Sequence, residues 1–181
     1  MKDADKGIIS LSHGDGGIKT GELIKNTILK HLGNEILDSL EDSAKINIDI
    51  PGKISFTTDS FVVDPIFFPG GDIGKLSVCG TINDLAVAGA KPLFLSCSLI
   101  LEEGFDITKL EKIMESIQST ANLAGVQIVT GDTKVVDSGK VDQIFINTAG
   151  IGICSDCDLG LEKIEVGDKV LINGTIGEHG I

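Results

Sequence analysis

Apolar positions along the chain fall into blocks whose spacing alternates between that of strands and that of helices. Ile8-Ile9-Ser10-Leu11 is a short apolar segment, and four glycines follow at 14, 16, 17 and 21. Leu23, Ile24, Thr27, Ile28 and Leu32 then recur at helical spacing before Gly33, which predicts a glycine loop opening a helix. Lys53 to Asp64 alternates as two short strands would, and Pro65 to Gly74 reads as a Pro/Gly connection without regular structure. Lys75 to Ala90 is small and apolar almost all round. Leu76, Cys79, Ile82, Ala86 and Gly89 share one face of a helix there, Ala88 and Ala90 permit close packing on the other, and Lys91-Pro92 stops it. The pattern predicts a buried helix.

Leu93 to Leu101 is a nearly continuous apolar strand, either buried on both faces or lying in a subunit interface. Thr108-Lys109-Leu110-Glu111 has capping-box spacing and opens a second helix. Its stripe is Leu110, Met114, Ile117, Ala121 and Ala124, with Gly125 as the stop. Val126 to Thr130 and Gln143 to Ile153 return to strand character around a turn at Asp137-Ser138-Gly139-Lys140, and Val166 to Ile172 begins one more strand. The chain reaches Ile181 inside a loop-like stretch from Gly174, as a truncated piece of a longer protein would. A length of 181 residues suits one core with a short tail belonging to something else.

Charge narrows the function. Against 15 basic residues stand 27 acidic ones, a formal net charge of -12, which argues against binding nucleic acid through its phosphates. An acidic protein that holds a triphosphate needs a divalent cation to bridge carboxylates and phosphates. The apolar runs are too short to cross a membrane and no secretory leader precedes them, so the expected compartment is the cytoplasm. Cys79, Cys97, Cys154 and Cys157 then read as reduced thiols, and the lone C-x2-C at 154–157 is a weak zinc signal.

Four short segments carry the candidate chemistry: His13-Gly14-Asp15-Gly16-Gly17, Thr57-Thr58-Asp59-Ser60, Thr81-Ile82-Asn83-Asp84 and Thr130-Gly131-Asp132-Thr133. If the fold brings them together they form a ring of carboxylate oxygens of the kind Mg²⁺ or Ca²⁺ prefers. Asp59 and Asp132 read as strand-end carboxylates facing a cleft, with an Asx-turn as the plain alternative for Asp59. Asp84 lies in an apolar helix, where a buried carboxylate needs a cation or several donors. Asp64 and Asp72 read as loop residues, with membership of a second metal site as the alternative for either. Lys75 is a candidate phosphate contact or a snorkelling surface lysine, and His13 a candidate phosphate contact or an ordinary hydrogen-bonded surface histidine. His31 reads as a solvent-facing histidine at a helix C-terminus. The glycine loop can cradle an anion or be a plain flexible turn, and it matches neither the P-loop nor the dinucleotide fingerprint. No Ser or Cys sits in a nucleophile elbow.

Phe56-Thr57-Thr58-Asp59-Ser60-Phe61-Val62-Val63-Asp64-Pro65, followed by Phe67-Phe68-Pro69-Gly70-Gly71-Asp72-Ile73-Gly74-Lys75-Leu76 and Cys79-Gly80-Thr81-Ile82-Asn83-Asp84, closely resembles the hydrogenase maturation HypE family. So do the His13 to Gly17 loop, Leu101-Glu102-Glu103-Gly104, Val129 to Val136 and Ile146 to Gly150. That family lies in the PurM-like ATP-binding superfamily. The resemblance implies an α+β fold: a PurM-like mixed sheet with helices on one face, pairing with a second subunit into a barrel. It implies a PurM-like N-terminal ATP-binding and dimerisation domain over 1–154, with 155–181 a linker and the start of a truncated C-terminal domain.

It further implies ATP-dependent dehydration of a thiocarboxamide, carried on a C-terminal cysteine absent from these residues, to a thiocyanate. The cofactors implied are ATP and Mg²⁺, and the partners a second copy, HypF as carbamoyl donor and the HypC–HypD complex as cyanide acceptor. On matching positions Asp84 and Lys75 are catalytic, and Asp59, Asp84 and Asp132 hold the metal. His13, Gly14, Gly16, Gly17, Asp59, Lys75, Asp132 and Thr133 hold the nucleotide. The alternatives are another PurM-like ATP-using enzyme, such as a selenophosphate synthetase or small-molecule kinase, and a non-catalytic docking module.

Overall fold

The structure is a computed structural model that describes residues 7–40, 44, 46, 52–154, 159, 160 and 163–177. After a 3-10 turn at Leu11–His13, helix α1 (Ile18–Leu23) runs through a π-helical segment (Ile24–Ile28) into α2 (Leu29–Leu32). Strand β1 (Lys53–Phe61) is followed by the two-residue strands β2 (Phe67–Phe68) and β3 (Gly71–Asp72), helix α3 (Ile73–Val87), strand β4 (Lys91–Glu102), helix α4 (Ile107–Ala124), and strands β5 (Gln127–Val136) and β6 (Ile144–Cys154).

Four strands form one mixed sheet in the order β1-β6-β4-β5. Strand β6 is antiparallel to both β1 and β4, whereas β4 and β5 run parallel, joined by α4 as the crossover. In β5 one extra residue, Val129, interrupts the register between the pairs Leu95↔Ile128 and Ser96↔Thr130. Helices α3 and α4 cover a single face of the sheet. The core lies beneath them, with Val78, Leu85, Leu95, Leu101, Leu110, Ile113, Met114, Ile117, Ile144 and Ile146 almost wholly buried.

Local chemistry sets the helix ends. Asp106, not Thr108, caps α4: its Oδ1 accepts from Thr108 N and Thr108 Oγ1, both at 2.7 Å. Those bonds hold the Asp106 carboxyl below its usual range. The stripe of α4 buries Ile113 and leaves Ala124 exposed, and the helix stops at Gly125 as expected. Asp72, read as a loop residue, is the N-cap of α3, accepting from Gly74 N at 2.7 Å and Lys75 N at 3.1 Å.

Helix α3 buries a stripe rotated from the one its sequence suggested: Ile73, Gly74, Ser77, Val78, Thr81 and Leu85 face inward, Cys79 and Ile82 are half-buried, and Leu76 and Ala86 are exposed. A helix that is small and apolar all round carries no period to choose a face, so tertiary contacts decide. The choice is fixed by a buried hydroxyl pair, Thr81 Oγ1 and Thr148 Oγ1 at 2.5 Å, in which Thr148 also donates to Ser77 O at 3.1 Å.

Other expectations change too. Lys53 to Asp64 is one strand rather than two, and the Pro65 to Gly74 connection contains the β2–β3 pair. Strand β4 alternates rather than being buried on both faces: Leu95, Cys97, Leu99 and Leu101 are buried, whereas Ile100 is 39% exposed. Val166 to Ile172 is not a strand, and Val170 and Leu171 lie open to solvent. His31 is half-buried, with its Nε2 buried and lacking a hydrogen-bond partner among the described residues, and its carbonyl accepts from Gln118 Nε2. Cys79 and Cys97 are free, but Cys154 is disulfide-bonded, against the reduced-thiol reading; Cys157 lies outside the described residues. Among the described residues no helix is long and apolar enough to cross a membrane.

Candidate functional site

Strand alternation decides where the carboxylates stand. Along β1 residues 55, 57, 59 and 61 face α3 and are half-buried, while 54, 56, 58 and 60 lie on the open face of the sheet. Thr57 and Asp59 therefore meet the outer half of α3. Thr57 Oγ1 donates to Asp84 Oδ2 at 2.8 Å. One helical turn earlier Gly80 lies under Asp59 and Phe61: a Cβ there would stand 2.7 Å from Phe61 Cε1 and 3.5 Å from Asp59 Oδ2. Absence of a side chain at Gly80 is what lets β1 and α3 close into a seam with Asp59 and Asp84 along it. Asp59 is held from behind, since Asn147 Nδ2 donates to Asp59 O at 2.8 Å and Ser60 Oγ at 3.0 Å. Asp84 is exposed on the seam's rim, which corrects the buried setting its helix suggested.

Asp132 lies elsewhere. It sits inside β5 rather than at a strand end, and it shares an open-face row with Ser98, Asn147 and Ser60. Asp59, with Thr148 and Cys97, belongs to the neighbouring row on the helix face. Three strand spacings of ~4.8 Å put roughly 14 Å of sheet between the two strands. Among the described residues no three His, Cys, Asp or Glu side chains lie close enough to hold a metal together. The pair Asp59 and Asp84 nonetheless suits Mg²⁺, which is usually held by one or two carboxylates plus substrate phosphates and water, and not by an all-protein cage.

Lys75 does not join the seam. It is nine residues before Asp84 on α3, which is about half a revolution round the helix and ~13 Å along it. Its Nζ donates instead to Gly70 O at 2.9 Å.

The glycine loop stands at the opposite edge of the sheet from the seam, beside β5. Its backbone is already engaged: Gly16 N donates to Thr20 Oγ1 at 3.0 Å and Gly17 N to Asp15 Oδ1 at 2.9 Å. His13 Nδ1 bonds Ser10 N and Ser10 Oγ, both at 2.9 Å. Between this loop, the π-helical segment and β5 lies a cavity of about 280 Å³, lined among others by Gly14, Gly16, Thr20, Cys97, Asp132 and Thr133. Burial pushes the Cys97 thiol up to about 12. The open face carries a second cavity of about 400 Å³, lined in part by Phe56, Phe94, Ser96, Thr130, Ala149 and Ile151.

Sequence reasoning located the acidic residues but missed the groups that place them: Thr57, Gly80 and Asn147. Strict alternation from Lys53 onward was the available signal for Thr57, since it puts 57 and 59 on one face.

Comparison with known proteins gives these positions a context. Residues 40–154 match the family described as AIR synthase related protein, N-terminal domain. The chain is 50% identical over 180 residues to carbamoyl dehydratase HypE of Bradyrhizobium diazoefficiens, covering 99% of this chain and 52% of that protein. It thus spans about half the length of the curated relatives it matches. The crystal structure of hydrogenase maturation protein HypE in complex with ATP is similar with a TM-score of 0.76 at 51% identity, over 80% of this chain and 42% of that one. A HypE–HypF complex structure is similar with a TM-score of 0.57 at 53% identity, over 74% and 43%.

Proposed function

Because this chain belongs to the AIR synthase related N-terminal domain family, we propose that it is the nucleotide-binding half of an ATP-dependent carbamoyl dehydratase of the HypE kind. The observation that carries the reading is the β1–α3 seam, along which Asp59 and Asp84 both stand, with Thr57 bonded to the latter. It occurs in a chain 50% identical to such a dehydratase over 180 residues.

In this reading residues 1–154 bind nucleotide and pair with a second copy, and residues 155–181 lead into a further domain. The substrate is a thiocarboxamide on the full-length protein's C-terminal cysteine. Dehydration removes the amide oxygen and both nitrogen-bound protons, leaving a carbon–nitrogen triple bond. Transfer of the ATP γ-phosphoryl group to that oxygen lets it depart as phosphate, with ADP as the other product. Asp59 and Asp84 would hold Mg²⁺, which when bound offsets charge developing on the transferred group. Asp132 and Thr133, with the loop from His13 to Gly17 across the cavity, would contact the nucleotide from the β5 side.

The open face of the sheet supports pairing into a barrel with a second copy, since Phe56 is 67% and Ile54 63% exposed on it. HypF would deliver the carbamoyl group and HypC–HypD would take the cyanide to iron, in the cytoplasm. Calorimetry with ATP and Mg²⁺ tests the reading. Binding that Asp84→Asn abolishes supports it, whereas no heat at millimolar nucleotide leaves only a docking module.

A further inference from the structure

We infer that Thr57 is a positioning residue for Asp84, fixing one carboxylate oxygen so that the other is presented along the seam beside Asp59. The inference rests on the nucleotide reading above and adds to it a residue whose side chain need not touch metal or phosphate. Asp84 is exposed, and an exposed carboxylate samples several rotamers in water. The Thr57 hydroxyl removes that freedom by donating to Oδ2 at 2.8 Å. Thr57 is itself well anchored. Its β-branched side chain has a stiff χ1, it lies half-buried on the helix-facing side of β1, and its backbone is registered against Gly150 of β6. Asp72, the other acid of α3, is spent on capping the helix, so Asp84 is the carboxylate of that helix that an oriented donor serves. Groups that orient metal ligands from behind typically change metal affinity by about 10–100-fold when removed.

The test compares Thr57→Val, which keeps the shape and deletes the hydroxyl, with Thr57→Ser, which keeps the hydroxyl. Calorimetry of this chain with ATP is run in Mg²⁺ and again in EDTA, with thermal melting as the control for folding. Thr57→Val is expected to lower the Mg²⁺-dependent affinity about tenfold and leave the EDTA affinity unchanged, with Thr57→Ser recovering most of the loss. Equal affinity of Thr57→Val and the unaltered chain in Mg²⁺ overturns the positioning role while leaving the nucleotide reading intact. An equal loss with and without metal also overturns it, because that is the mark of general damage. Absence of any heat from the unaltered chain overturns the nucleotide reading, and this inference with it.

Discussion

Asp59 and Asp132 stand at almost the same height in one sheet but in adjacent rows that face opposite ways, on strands at its two edges. A single copy of the chain therefore presents two carboxylates at the seam and a third round the other side. On the proposed function, Asp59→Asn and Asp84→Asn should each weaken Mg²⁺-ATP at least about tenfold at any chain concentration. Asp132→Asn should act only where the chain is paired. Calorimetry above and below the dimer dissociation constant separates the two behaviours; identical concentration dependence for all three variants would count against a site shared between copies.

Pairing itself is testable. The open face exposes Phe56 beside Ile151 and Phe94, a row of apolar side chains across three strands. Light scattering at micromolar concentration should return the mass of a dimer, and Phe56→Glu the mass of a monomer with a near-native circular dichroism spectrum. A monomer mass for the unaltered chain would refute the barrel.

Thr81 and Thr148 should not be equivalent under substitution. Thr148 donates to Ser77 O, which leaves Thr81 as the donor within the pair. Thr81→Val leaves the Thr148 hydroxyl its carbonyl partner and should cost about 1 kcal/mol, whereas Thr148→Val strands the Thr81 hydroxyl in a dry interior and should cost about 2–3 kcal/mol. Urea unfolding of the two single variants gives the comparison, and equal losses would contradict the donor assignment.

Cys97 offers a pH readout. Its thiol, raised to about 12 by burial, stays neutral in the folded chain while the unfolded chain ionises it near an ordinary thiol value. The stability it contributes is complete below that ordinary value and is lost as pH rises toward about 12. Unfolding free energy of the unaltered chain should fall more steeply between pH 9 and 11 than that of Cys97→Ala. In the native chain at pH 8 a thiol reagent should modify half-buried Cys79 and spare Cys97, and equal rates would show that burial does not protect it.

Much of this architecture was legible in the residues. Alternation marked β1, a nearly continuous apolar run marked β4, and the stripe from Leu110 to Ala121 with Gly125 behind it marked α4, because these elements write their burial into the chain. Helix α3 was found but turned the wrong way, since nothing in an apolar, small-residue segment distinguishes one face from another until the Thr81–Thr148 pair and the missing side chain at Gly80 choose. The same error made Asp84 look buried. The caps at Asp72 and Asp106 escaped notice because an Asp before a helix and an Asp awaiting a metal are the same residue to a reader of sequence. As for the site, motif spacing pointed to Asp59 and Asp84. It could not show that Lys75 lies round the helix from them, which depends on where α3 begins.

The surplus Val129 in β5 settles an identity question at the sheet's far edge. Had Ser96 been matched to Val129 and each later pairing slid back by one, Asp132 would have come opposite Leu99 and turned indoors, among the leucines under α4. The bulge that absorbs this one amino acid thus keeps that carboxylate in water. Removing Val129 would close the bulge and leave Asp132 opposite Ser98, whereas pulling the bulge flat with Val129 retained would hide the acid without altering any of the residues that carry the chemistry.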